Sequence, residues 1–125
     1  MNPLPAQLEA ITLVVDQVAI DSYARITGDY NPIHVDPAFA AATEMGGVIA
    51  HGTMSLNLIW QALEKSLGGD GLARITLDIR FRRPVRPGDR IEAGGDLEES
   101  GTAYHVWARN QKGENVIEGT ASLAG

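Results

Sequence analysis

The chain has 125 residues, 44% of them hydrophobic, with no cysteine and a formal charge of −6. That composition predicts one domain over residues 1–125 with its own core, and it excludes a disulfide framework, a thiolate zinc site and a cysteine nucleophile. An acidic chain lacks the clustered positive charge that nucleic-acid binding requires, and no run of ~18 apolar residues is present to span a membrane.

The first five residues, Met1 to Pro5, have neither the basic segment nor the apolar core of a secretory signal, so a cytoplasmic protein is expected. Ile11 to Val15 is β-branched and predicts a first strand. Asp21 is expected to cap a short helix over Ser22–Ile26, which Gly28 ends. Asp29 to Pro37 is rich in turn formers and reads as a loop. Asp36 and Pro37 then supply the cap and first turn of a second short helix reaching Thr43.

Gly46-Gly47 breaks the chain. His51-Gly52 opens the most helical stretch, Thr53–Leu67, which Gly68-Gly69 closes. Apolar residues cover nearly its whole circumference, so it is expected to be buried. Asn57, Gln61, Glu64 and Lys65 form its polar stripe. Beyond it the period becomes two: Ile75, Leu77, Ile79 and Phe81 share one strand face. A turn over Pro84–Asp89 leads to strands around Ile91–Leu97, Tyr104–Ala108 and Ile117–Leu123. The predicted class is α+β, an antiparallel meander wrapped on one central helix. One helix cannot cover both faces of such a sheet, so pairing with a second copy is expected.

Three features carry chemical potential. Asp29 and His34 place a carboxylate and an imidazole five residues apart in a polar loop. Histidine exchanges a proton near neutrality, and a carboxylate can orient it or share the work; solvated or capping roles fit the same pair. Gly52 stands where the first helical amides have no internal partner, and glycine lets a ligand approach that backbone closely. An N–H there can stabilise an oxyanion, although relief of crowding at the loop-to-helix join also explains a glycine. Arg80, Arg82, Arg83, Arg86 and Arg90 crowd one segment, suiting a phosphate-bearing ligand, an acidic partner or simply a wet strand face.

The run Tyr23-Ala24, Thr27-Gly28-Asp29-Tyr30-Asn31-Pro32-Ile33-His34-Val35-Asp36-Pro37, Phe39-Ala40, followed by Ile49-Ala50-His51-Gly52, resembles the hydratase motif of MaoC-like proteins. These are the (R)-specific enoyl-CoA hydratases and related β-hydroxyacyl-ACP dehydratases. Phe81 and Pro84-Val85, Pro87-Gly88-Asp89 resemble a later strand and turn of that family. The resemblance implies a single hot-dog domain, usually dimeric or a higher homo-oligomer, acting on an acyl-CoA or acyl-carrier-protein thioester with no metal or other cofactor. Asp29 and His34 match the pair that activates water for addition to the β-carbon of a trans-2-enoyl thioester. Gly52 matches the residue whose N–H binds the thioester oxygen. Asn31 matches a position that shapes the loop and borders the site, Asp36 remains a cap and His51 is structural.

Several hydratases of this group carry serine where this chain has Asn57; Asn57, or the nearby Ser55, is expected to position substrate in its place. Arg82, Arg83 and Arg86 suit the phosphates of CoA or an acidic carrier protein. A hot-dog thioesterase is the main alternative, with Glu64 as the one carboxylate on the long helix. A silent subunit of a heterodimeric dehydratase is expected to have lost Asp29 and His34. A metal on Asp29, His34, Asp36 and His51 would need a loop and a helix start to converge.

Overall fold

The computed structural model describes residues 4–124, so the first three positions of the N-terminal segment lie outside the described residues. Strand β1 (Ile11–Val15) forms from the β-branched run as expected. Helix α1 (Gln17–Thr27) begins earlier than expected, because Asp16 and not Asp21 is its cap: Asp16 Oδ1 accepts from the Ala19 N–H at 2.8 Å. Asp21 lies one turn inside and accepts from Gln17 Nε2 at 2.9 Å. Gly28, at φ 75°, ends the helix in the left-handed conformation that glycine adopts at least cost.

The segment expected to be an open loop contains two short helices, α2 (Pro32–Val35) and α3 (Pro37–Ala41). The same turn chemistry explains both. Asn31 accepts from the Ile33 N–H and Asp36 from the Phe39 N–H, and a proline follows each cap where its missing N–H costs nothing. Helix α3 stops at Ala41, two residues short of the expected Thr43.

Helix α4 (Gly52–Leu72) bends at Gly68, whose φ of 78° and ψ of 170° are not helical. Its straight part therefore ends at the expected place. Met54, Leu58, Ile59, Ala62 and Leu63 are buried, while Asn57, Gln61, Glu64 and Lys65 are exposed. The sheet contains β1, β2 (Ile75–Phe81), β3 (Asp89–Leu97), β4 (Ala103–Arg109) and β5 (Asn115–Leu123), all antiparallel, in the order β1-β3-β4-β5-β2.

Only β3–β4–β5 is thus a meander. Strand β2 pairs with β5 at the far edge, Ile79 opposite Gly119. Residues 82–88 cross the end of the sheet instead of closing a hairpin, and Pro84 and Pro87 offer no donors to a ladder. This crossing carries Val85 to the segment before α4, where the Ala50 N–H donates to the Val85 carbonyl at 2.8 Å. Helix α4 packs on one face of the sheet. Leu58, Ile59, Ala62 and Leu63 meet a buried layer that includes Ile91, Ala93, Tyr104, Val106, Ala108, Ile117 and Ala121. Each leucine-sized side chain buried there contributes about 1.5–3 kcal/mol. The opposite face is polar, with the Arg109 guanidinium 4.0 Å above the Trp107 ring. No described helix is long and apolar enough to cross a membrane.

Candidate active site

The α1–α2 turn and the start of α4 meet at two imidazoles. His34 comes from α2, with 12% of its side chain exposed, and Asp29 from the preceding turn, with 53% exposed. Their closest atoms, His34 Nε2 and Asp29 Oδ2, are 4.0 Å apart, too far for a direct hydrogen bond. His34 Nδ1 lies 2.7 Å from the Ile49 carbonyl. A carbonyl only accepts, so Nδ1 carries the proton, and in the neutral ring Nε2 keeps its lone pair towards Asp29. A water at about 2.8 Å from both atoms would subtend about 90° across that gap, close to its own bond angle.

Asp29 is held by its backbone. Its carbonyl accepts from His51 Nε2 at 2.9 Å, and its Oδ1 accepts from the Asn31 N–H at 3.2 Å. His51 is 3% exposed. Its ring stacks on that of His34, with centroids 3.9 Å apart and planes at 26°, and Tyr23 meets it edge-on at 5.0 Å. The expected motif residues therefore converge, with His51 among them.

Gly52 lines a cavity of about 320 Å³ together with Ile49, Ala50, Ser55, Phe81 and Val85. Neither Asp29 nor His34 lines this cavity; His34 is joined to it through Ile49, whose carbonyl orients the ring. The Gly52 N–H is the first amide of α4, which the helix itself cannot use. A Cβ at Gly52 would stand 2.8 Å from Phe81 Cε1, so any larger residue here must push the exposed Phe81 ring aside. Ser55, one turn on, is 2% exposed and its Oγ has no hydrogen-bond partner among the described residues. It is a free polar group in a mainly apolar chamber.

Of the other expected positions, Arg82 and Arg83 also line this cavity, while Asn57, Asn31 and Arg86 do not. Asn57 is exposed and donates from Nδ2 to the Tyr23 hydroxyl at 3.2 Å; the same hydroxyl pairs with Thr53 Oγ1 at 2.8 Å. Asn57 reaches the site through Tyr23 and does not line the cavity. The Asn31 side-chain oxygen caps α2.

The arginines have partners too. Arg82 Nε donates to Glu118 Oε1 at 2.6 Å, Arg83 Nη1 lies 3.5 Å from Glu114 Oε2, and Arg86 Nη1 donates to the Gly47 carbonyl at 3.4 Å. The Arg82 hydrogen bond, with one from Asn115, holds the Glu118 carboxyl below its ordinary value. A hydrogen bond from Asn110 and then the Arg83 charge do the same at Glu114. Two of the three arginines thus pair with glutamates at the surface, each through one guanidinium nitrogen.

Asp29, His34 and His51 each place one ligand-type atom within 4.8 Å of the others. The near-parallel stack opposes a shared ion, because ring-nitrogen lone pairs lie in the ring planes and would have to converge. Asp36, the fourth group expected, caps α3 instead. Glu64 is exposed and twelve residues beyond Gly52, about 18 Å along the helix, which separates it from this site.

Sequence reasoning missed the Ile49 carbonyl, which leaves no side-chain signal, and the use of Phe81 as a cover for Gly52. It read His51 as structural, and the structure places the buried ring against His34 with Nε2 on the Asp29 carbonyl.

A 3-hydroxybutyryl-CoA dehydratase of Methylorubrum extorquens is 44% identical over 77 residues, 62% of this chain and 49% of that protein. An (R)-specific enoyl-CoA hydratase of Aeromonas caviae is 35% identical over 74 residues, 59% of this chain and 55% of that protein. The chain spans about half the length of these relatives. The unliganded R-hydratase of Pseudomonas aeruginosa superposes with a TM-score of 0.78 at 29% identity, covering 96% of this chain and 79% of that one. The fold is accordingly the hot dog of these hydratases, as the sequence resemblance implied. The MaoC-like domain family model matches residues 3–118, and this chain belongs to that family.

Proposed function

We propose that the chain is a hydratase/dehydratase of acyl thioesters, adding water reversibly to a trans-2-enoyl thioester to give the 3-hydroxyacyl thioester. The observation that carries this reading is the 4.0 Å gap between His34 Nε2 and Asp29 Oδ2, with His34 oriented by the Ile49 carbonyl. In hydration the bare Nε2 and the carboxylate each accept one hydrogen of a water. As the water oxygen bonds to the β-carbon, one of its protons passes to this pair, and a proton is delivered to the α-carbon. Charge that builds on the thioester oxygen meets the Gly52 N–H at the positive end of α4. Elimination follows the same path backwards.

Asp29, His34 and Gly52 are the catalytic groups in this reading, and Ser55 faces substrate. Arg82 and Arg83, which line the cavity, and Arg86 beside them are assigned to the phosphates of CoA or a carrier protein. A second copy pairs with the chain, and the cysteine-free composition fits the cytoplasm.

The test is absorbance at the enoyl-thioester band with crotonyl-CoA, read beside free thiol. Loss of the band without thiol, abolished in D29N and H34A, is the expected result. Thiol release would instead assign thioester hydrolysis, and an unchanged band with short- and medium-chain enoyl groups on both CoA and carrier protein would overturn the reading.

A further inference from the structure

His51 is the buried titratable group that this mechanism leaves unused. It makes two contacts that matter and lacks a third. Its Nε2–H donates to the Asp29 carbonyl at 2.9 Å, and its ring face lies 3.9 Å from that of His34. Its Nδ1 is buried and has no hydrogen-bond partner among the described residues. A bare ring nitrogen in that position is a cost. Phenylalanine would fill similar space and stack on His34 without that cost. Phenylalanine cannot, however, hold the Asp29 carbonyl. The histidine is therefore accounted for by the two contacts together, and not by packing alone.

We propose that His51 is the positioning residue of the acid/base pair: one ring fixes the backbone of Asp29 and the plane of His34, and so sets the gap in which water is held. The proposal rests on the reading of Asp29 and His34 as that pair. Neither group has another restraint of the same kind. Asp29 lies in the turn after Gly28, and its remaining bonds run to residues within two positions of it, Thr27 and Asn31. His34 is tied at Nδ1 to the Ile49 carbonyl, which leaves the ring free to swing about that bond unless a face blocks it. His51 supplies that face.

Tyr23 closes the other side of His51 edge-on, with its hydroxyl tied to Thr53 and Asn57 on α4. The order of dependence runs from α4 through Tyr23 to His51, and from His51 to both catalytic groups. Asn57 has a part in this chain of support, because it steadies the tyrosine that backs the positioning ring.

Two substitutions separate the contacts. H51F keeps a ring on His34 and deletes the donor to Asp29. H51Q keeps an amide donor near the Nε2 position and deletes the ring. A displacement of about 1 Å in a reacting group costs on the order of 10²-fold in rate, so each variant is expected to lose about 10–100-fold in kcat on crotonyl-CoA, with KM within about threefold. The second readout needs no substrate: the ¹⁵N shifts of His34 in the ligand-free protein. They should report one tautomer, protonated at Nδ1, in the wild type and in H51F, and an averaged pattern in H51Q. Wild-type kcat in either folded variant, or a His34 pattern unmoved in H51Q, would overturn the proposal. If H51F does not fold, H51Q and its spectra decide alone. If the wild type hydrates no thioester, the functional reading fails, while the His34 pattern still decides whether His51 positions that ring.

Discussion

Ser55→Ala should make the protein more stable and less active. Ser55 is 2% exposed and its Oγ has no hydrogen-bond partner among the described residues. A buried hydroxyl without a partner costs about 1–3 kcal/mol. Alanine removes that cost and is the better helix former by a few tenths of a kcal/mol. Loss of one oxygen's packing offsets part of the gain, which leaves a net stabilisation of about 1 kcal/mol. In a chain of this size that raises Tm by roughly 3–5 °C. If the hydroxyl meets the thioester in the cavity it shares with Gly52, losing one neutral hydrogen bond of about 1.4 kcal/mol lowers kcat/KM about tenfold. Calorimetry at fixed protein concentration, together with the crotonyl-CoA assay, measures both effects. A Tm that falls by several degrees would show that the hydroxyl is already satisfied in the free protein. An unchanged kcat/KM would show that it does not touch substrate.

Asp29→Asn should lower kcat by at least about 10²-fold and leave urea unfolding almost unchanged, because the asparagine oxygen can still accept the Asn31 N–H; activity within threefold of wild type would remove Asp29 from the chemistry. Gly52→Ala should weaken substrate binding by pushing the half-exposed Phe81 ring, whose Cε1 would stand 2.8 Å from the new Cβ. The double variant with Phe81→Ala should recover part of the loss in KM, and no recovery would mean that the methyl group blocks substrate directly. Glu118→Gln should flatten the acid limb of the Tm–pH curve. The folded Glu118 carboxyl lies below its ordinary value of 4.5 because of the Arg82 and Asn115 hydrogen bonds. Its contribution is thus present above pH 4.5 and is lost as pH falls through the folded value. The two curves should converge on acidification, and curves that stay parallel would show that the pairing contributes nothing to stability.

The candidate catalytic groups were legible because they interrupt a pattern. Asp29 and His34 sit where hydrophobic periodicity stops, and Gly52 sits where it restarts as a helix. The Asp16 cap was missed because two aspartates, five residues apart, both precede helical sequence, and only the backbone decides between them. The β2 crossing was illegible for a different reason. Period-two alternation tells which face of a strand is buried but not which strand lies beside it, so the pairing of Ile79 with Gly119 leaves no local trace. The arginine cluster was visible, but the glutamate that pairs with Arg82 lies 36 residues further on, beyond the reach of local pattern.

His51 and Gly52 are consecutive, and this adjacency links the two halves of the proposed chemistry. In that proposal the ring of one sets where water is held, and the amide of the other sets where the thioester oxygen is stabilised. The Ile49 N–H donates to the Ile33 carbonyl at 3.2 Å, and its own carbonyl holds His34, so residues 49–52 are stitched to α2 at one end and continue into a buried helix at the other. A small displacement of this segment moves water and carbonyl site in the same direction. The distance between the attacked β-carbon and the oxygen that receives its electrons is fixed by the substrate. A site that holds both ends from one short rigid segment preserves that distance through thermal motion better than one whose two ends ride on separate loops. The turn carrying Asp29 is the more loosely held element, with its side chain about half exposed, and it follows the segment through the single bond from His51.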